Sequence, residues 1–414
     1  MTLKERIDAA NAEAFRRITA ADPVLVDVAP AAGVIPGMRD RLILHAGPPV
    51  GWPGMCGAQR GAAIGMCLFE GWAKDPAEAE RMLQSGEIAL EPNHHHAAVG
   101  PMAGTITNNM WVWVVENRAF GNRAFCRQVE SFQQFGDFSA GALDTLRQWR
   151  DTWGPALGTA VRKMGGIPLK QLVARALLMG DEMHNRVVAS SSIFSNAVAP
   201  VLAGSGLPQG QVISTLYYTG NHPFLFLGLS MAAAKASLDP SRGVEASSVV
   251  TAMARNGTEF GIQVSGLDGE WFTAPAPRVN GLLLPGWKEA DAGLDMGDSA
   301  ITETVGWGGF VIGGAPGILS FTGGTAAEAL AFTRDMRSIS VGRSPDYLMP
   351  ALDFEGTAVG IDVRKVVQTG IVPVIDTAIA HREMGHGIIG GGIVRPPVEC
   401  FTRALKRFAE KYKG

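Results

Sequence analysis

Three consecutive histidines, a glycine–proline loop and an unbroken apolar run constrain this chain more than any other stretch. Residues 93–122 read NHHHAAVGPMAGTITNNMWVWVVENRAFGN. The apolar, β-branched run at 110–115 lacks alternation, as a strand covered on both faces does, so the rest of the chain must supply two layers to bury it. Residues 100–104, GPMAG, are too rich in Gly and Pro for a helix interior. They read as a loop whose N–H groups can approach a ligand, and Glu116 and Asn117 fall at the end of the strand. Polar groups at a strand end beside a glycine loop are where α/β proteins commonly place sites. If His94, His95 and His96 are extended, their side chains alternate, so His94 and His96 share a face and His95 takes the other. Any one such histidine is more often a hydrogen-bonded core or surface residue than a base, so the argument rests on the combination.

At 414 residues the chain exceeds the usual range of one growing core, and two or three domains are expected. Apolar residues at 46% and charged residues at 18% mark a globular chain. A net charge of −3 and a pI near 6.3 carry no basic footprint, which argues against a nucleic-acid partner. The four cysteines (Cys56, Cys67, Cys126, Cys400) form no CxxC pair and the N-terminus has no signal-peptide pattern, so a reduced, cytoplasmic location is expected. No apolar run reaches the roughly eighteen residues of a membrane span. The 52 glycines cluster at 306–324 and 385–392, which implies tight turns and leaves anion cradles open.

Thr2 and Glu5 before spaced apolar positions predict a capped amphipathic helix over 2–18. Strands are predicted at 24–28, from Leu42, at 87–91 and at 121–129, with helices from about Met55, at 76–85 and at 141–150. The Gly-rich start of the helix at Met55, with Arg60 on its second turn, suits a carboxylate or phosphate and equally suits close packing. Cys56 at that start reads chiefly as a small buried residue, and Glu70 as structural. Helices follow over 168–180 and 181–203, the second carrying Asp181, His184 and Asn185 on one side with Ser191 and Ser192 continuing the stripe. Such a stripe is either solvated or a pocket wall. A further helical stretch runs over 211–237, broken at 220–223. One more helix is predicted at 249–256, and strands at 259–264, 282–284 and 310–312. A last helix spans 397–413. The expected division is an N-terminal α/β domain at 1–165, a helical domain at 166–245 and a C-terminal α/β domain at 246–414.

Two later constellations stand out. Asp298, Ser299, Thr302 and Glu303 precede a glycine run, where hydroxyl, carboxyl and free N–H groups can hold an amide-like or ureido group from both its donor and acceptor sides; the glycines read equally as turns. Asp376, His381 and His386 adjoin a second glycine run and Arg395. The two histidines lack a third ligand at an established motif spacing, so no metal is expected.

The stretches MCGAQRGA at 55–62, LFEGWA at 68–73, HHHAAVGPMAG at 94–104, VWVVEN at 112–117, GDSAITET at 297–304 and VRPPVECF at 394–401 together resemble the YlbE-like (AllG-like) family. The resemblance covers nearly the whole chain, and its specificity lies in the combination. It implies two irregular α/β domains with a small orthogonal helical domain. It also implies one subunit of oxamate carbamoyltransferase in allantoin degradation, exchanging oxalurate plus phosphate with oxamate plus carbamoyl phosphate. A partner subunit resembling succinyl-CoA synthetase and a further small subunit come with it. The family does not indicate which residues are catalytic.

Ureide chemistry must hold anions, stabilise an oxyanion and protonate a departing nitrogen. For anions the residues offer Arg60 and Arg395. As acid or base they offer His94, His95, His96 or His381, oriented by Glu116 or Asp376. Asn117, His184, Asn185, Asp298, Ser299, Thr302 and Glu303 are the candidates for holding a small anionic ureide or amide. Phosphate enters as co-substrate, with no other cofactor, and a homo-oligomer is expected. Two other readings stay open: an amidohydrolase using water in place of phosphate, and a non-catalytic binding or scaffold subunit, since no nucleophile motif is present.

Overall fold

A computed structural model describes residues 2–128 and 135–412. The fold is mixed α/β, and among the described residues the strands are divided among five small sheets. The largest runs Ala98–Val99, Arg123–Arg127, Trp111–Asn117, Pro23–Pro30 and Ile167–Pro168. A four-stranded sheet holds Phe272–Pro275, Glu259–Val264, Val250–Asn256 and Met296–Gly297, and a three-stranded one holds Asn280–Leu283, Ile388–Val394 and Ile375–Ala380. The predicted central strand, Trp111–Asn117, is buried over Val112, Trp113, Val114 and Val115, as its unbroken apolar run requires.

One helix ties these layers together. Leu227–Leu238 is buried along its whole length, Lys235 included, whose Nζ donates to Asp239 Oδ1 at 2.7 Å. Its sequence, LGLSMAAAKASL, joins strong helix formers to side chains small enough to lie close against strands. A Cβ at Gly228 would stand 2.9 Å from the Trp113 ring, so glycine is what permits that approach. Buried side chains as far apart as Ile7, Leu172, Met231, Val249 and Phe401 belong to one contiguous apolar cluster.

The first helix, Leu3–Thr19, carries the expected capping box between Thr2 and Glu5. Four local expectations fail for physical reasons. Residues Asn93–His96 form a 3-10 turn, where three residues per turn put i and i+2 on different sides, so His94 and His96 do not share a strand face. The segment 181–187 is a loop and the helix begins at Val188. Val250–Asn256 is a strand: all its residues are buried and it pairs with Glu259–Val264, a ladder that overrides the helix preference of Ala and Met. The 310–312 run lies in successive 3-10 turns, Gly308–Phe310 and Ile312–Gly314.

Asn11, on the buried face of the first helix, ties that helix to Ser248 and Asp362. Its Nδ2 donates to Ser248 Oγ at 3.0 Å and Asp362 Oδ2 at 3.1 Å, and its Oδ1 accepts from Ser248 N at 2.8 Å. Asn11→Ala leaves those groups buried without it and is expected to cost about 2–3 kcal/mol in chemical denaturation. A change below about 0.5 kcal/mol contradicts this role.

Candidate active site

Four segments distant in sequence meet around one small cavity. Its lining includes Pro101 and Met102 of the glycine loop, His184 and Asn185, Ser299, and Thr377 and Ala378. Phe135, Phe224, Leu227 and Ile388 close the apolar side. The cavity measures about 30 Å³, against about 10–15 Å³ for a single water. It therefore suits a group of a few atoms, such as a planar carbamoyl end.

The 181–187 loop is shaped by its own acidic side chains. Asp181 accepts from Ala189 N at 3.1 Å and Ser190 N at 2.8 Å, capping the helix that follows. Glu182 accepts from His184 N at 3.0 Å and also from Arg186 N, and Met183 turns through φ 76°. Ser230 on the buried helix donates to Met183 O at 2.8 Å and holds the loop down. This curled backbone turns His184 and Asn185 inward.

His184 Nδ1 lies 2.8 Å from Glu303 Oε1 and 4.0 Å from Asp376 Oδ1, all three residues being buried. Glu303 also accepts from Gly309 N at 3.0 Å and Thr302 Oγ1 at 2.9 Å. Asp376 Oδ2 accepts from Asn185 Nδ2 at 2.8 Å, while its Oδ1 is buried with no partner. Burial pushes His184 down to about 4, against the pull of Asp376, so its imidazole is neutral at pH 7. Burial pushes Glu303 up to about 7 and Asp376 up to about 6. It raises Glu182 well above the usual carboxyl range, with the Asp376 charge adding to it.

Behind the cavity Arg255 holds the frame. Its Nε and one terminal nitrogen grip Asp295 at 2.8 and 2.9 Å, and it reaches Thr377 Oγ1 at 3.1 Å and Gly297 O at 2.9 Å. Asp298 fastens the glycine loop, accepting from Gly100 N at 2.8 Å, Gly47 N at 2.8 Å and Asn93 Nδ2 at 2.9 Å. His94 Nε2 lies 3.6 Å from Asp298 Oδ1, edge-on to Trp271. Burial drives its pKa well down, so it is a neutral neighbour of that anchor.

The structure brings together His184, Asn185, Ser299, Thr302, Glu303 and Asp376, with Asp298 and His94 one layer behind. The other candidates have separate work. His95 Nε2 accepts from Trp271 Nε1 at 3.1 Å, and His96 bridges Glu91 and Pro36 O. Glu116 forms an ion pair with Arg123, and Asn117 closes the following turn through Ala119 N and Ala236 O. Arg60 donates to Pro53 O over the Trp52 ring, and Arg395 lies over Phe332. His381 stacks with Trp287 and His386 beside a second cavity of about 370 Å³ lined by Cys56, Arg278 and Arg382. Burial raises the Cys56 thiol, which removes it as an activated nucleophile. Arg255 is the residue that sequence reasoning missed. A lone arginine inside the apolar run VVTAMARN was its only signal.

A sequence profile of the family described as oxamate carbamoyltransferase subunit AllG matches residues 88–299. The chain is also 43% identical over 407 residues to oxamate carbamoyltransferase subunit AllG of Escherichia coli (strain K12), covering 97% of each. The chain belongs to the AllG family. It is similar as well to the uncharacterized protein YahG of the same organism, at 44% identity over 413 residues, covering 99% of this chain and 88% of YahG. A crystal structure of a conserved protein of unknown function from Enterococcus faecalis V583 superposes with a TM-score of 0.97, at 44% identity, over 99% of both chains. Among the described residues no helix of this AllG-family chain is long and apolar enough to cross a membrane.

Asp298 supplies a pH signature. Its carboxyl is raised from 3.8 to about 6, burial outweighing the three N–H donors that pull it down. Between those values the folded chain keeps a proton the unfolded chain has lost. That contribution is complete below the unfolded value and disappears as pH rises through about 6. Relative to Asp298→Asn, wild-type stability is expected to fall by about 2 kcal/mol from pH 4 to 6.5 in urea titrations; a flat difference contradicts the assignment.

Proposed function

We propose that this chain binds the ureido group of oxalurate in the His184–Thr377 cavity, as a subunit of a carbamoyltransferase of allantoin degradation. In the reaction phosphate oxygen attacks the ureido carbonyl carbon and the bond from that carbon to the bridging nitrogen breaks. The phosphate proton passes to the nitrogen, giving oxamate and carbamoyl phosphate. The observation that carries the reading is the convergence of imidazole, amide and hydroxyl groups on one small, largely apolar cavity, with buried carboxyl groups behind His184, in a chain 43% identical to a named oxamate carbamoyltransferase subunit.

The cavity chemistry fits a ureide. A carbamoyl end offers N–H donors and one carbonyl acceptor. His184, Asn185, Ser299 and Thr377 line the cavity with groups of both kinds. The carboxylate cluster behind His184 accepts from N–H groups, and the hydroxyl and amide groups stabilise developing negative charge on the carbonyl oxygen. Apolar walls from Met102, Phe135 and Phe224 keep water from competing with phosphate. Burial of a neutral His184 matches a role that is not anion binding.

The test is phosphate-dependent conversion of oxalurate by the chain assembled with its partner subunits. His184→Ala and Asn185→Ala are each expected to lower turnover about 10²- to 10³-fold, whereas Glu116→Gln, on the surface ion pair, leaves it unchanged. Wild-type turnover in both cavity variants contradicts the assignment of this cavity. Turnover that proceeds equally without phosphate contradicts transfer and identifies a hydrolase.

A further inference from the structure

The His184, Glu303 and Asp376 side chains come from three separate elements, and their ligating atoms lie within 4.8 Å of one another. We propose that they form a binding site for one divalent transition-metal ion, of the Zn²⁺ or Mn²⁺ class. The inference deepens the ureide reading and rests on it, since His184, one of the three, also lines the cavity proposed for the carbamoyl group.

The first argument is charge. Glu182, Glu303 and Asp376 are buried carboxyl groups set close together, and among the described residues no charged side-chain nitrogen of Lys or Arg lies within 4.0 Å of any of them. The nearby guanidinium, Arg255, is already engaged bidentately by Asp295. Buried carboxyl groups this close together either hold a proton between them or share a compensating cation. The second argument is an unused lone pair. Asp376 is wholly buried, and no N–H or hydroxyl donor reaches its Oδ1, which lies 4.0 Å from the imidazole, while the carboxyl as a whole is within hydrogen-bonding reach of the Glu303 carboxyl, two acceptors that a proton or a shared cation must join. A residue held on one oxygen by Asn185 and free on the other is built as a fixed carboxylate ligand is built, with its supporting hydrogen bond in place.

Geometry agrees. Ligands about 2.1 Å from an ion and at right angles to each other stand about 3 Å apart. The His184 Nδ1 to Glu303 Oε1 separation, now a hydrogen bond, is 2.8 Å, and the His184 Nδ1 to Asp376 Oδ1 separation is 4.0 Å, within the roughly 4.2 Å of two opposed ligands. One imidazole with two carboxylates leaves coordination positions for substrate oxygen or water, and it suits Zn²⁺ or Mn²⁺ better than the all-oxygen set preferred by Mg²⁺ or Ca²⁺. The three residues lie at positions 184, 303 and 376, so no spacing motif reveals them.

The test uses the full chain after dialysis against a chelator, titrated with Mn²⁺ followed by electron paramagnetic resonance and with Zn²⁺ by calorimetry. One equivalent is expected to bind with micromolar or tighter affinity, and saturating ion raises the Tm by about 2 °C or more. His184→Ala and Asp376→Asn are each expected to weaken binding about 100-fold, while Glu116→Gln binds as wild type. Near-ultraviolet circular dichroism of the ion-free variants establishes that they are folded. Absence of saturable binding by the wild-type chain at 1 mM ion (about a thousand times the expected Kd) overturns the site, as does equal binding by the folded Asp376→Asn chain. Either result leaves phosphate-dependent turnover, the separate test of the ureide reading, to stand or fall on its own measurement.

Discussion

Keeping ionisable side chains out of water is the constraint on which the rest of this architecture turns. An isolated buried carboxylate is unstable unless its lone pairs find donors or its charge finds a partner. Here Asp298 is met by two backbone N–H groups and an amide, Glu182 by two backbone N–H groups of its own loop, and Asp295 by a guanidinium. Satisfying these groups fixes the conformation of the segments that carry them, so the polar framework and the backbone path are one problem. Asp376 stands out against this background because half of its accepting capacity is unspent.

The scaffold serves that framework. The buried helix Leu227–Leu238 lies against the strands Trp111–Asn117 and Arg123–Arg127 and against Ile301–Val305, and it holds the 181–187 loop through Ser230. The strand Ile375–Ala380 carries Asp376 and Thr377 inward from a third sheet. Each contributor to the cavity is thus anchored by an element that is itself fully covered, which favours rigid positioning over loop motion.

Much of the scaffold was legible in the sequence because period and capping act locally. The Thr2–Glu5 box, the doubly covered strand at 111–117 and the break near 222 all follow from neighbours in the chain. The run 250–256 was not, since an unbroken apolar stretch has no period to separate helix from strand, and only pairing with 259–264 decides it. The histidine run drew attention, yet its members lie outside the cavity lining. His95 and His96 are spent on Trp271 and on Glu91. The imidazole in the cavity is His184, alone in a loop whose curl depends on the side chains of Asp181 and Glu182. Thr302, Glu303, Asp376 and Asn185 were recognisable as unusual polar residues beside glycines. Their meeting with Arg255 behind them is a tertiary fact that no local pattern encodes.

The account stands most directly on where a small ligand sits. A crystal structure of this chain soaked with oxamate, the amide product, is expected to show the ligand in contact with His184, Asn185, Ser299 and Thr377, under the Pro101–Met102 turn. Oxamate ordered elsewhere, for example beside Cys56 and His381, with the His184 cavity unchanged, would contradict it.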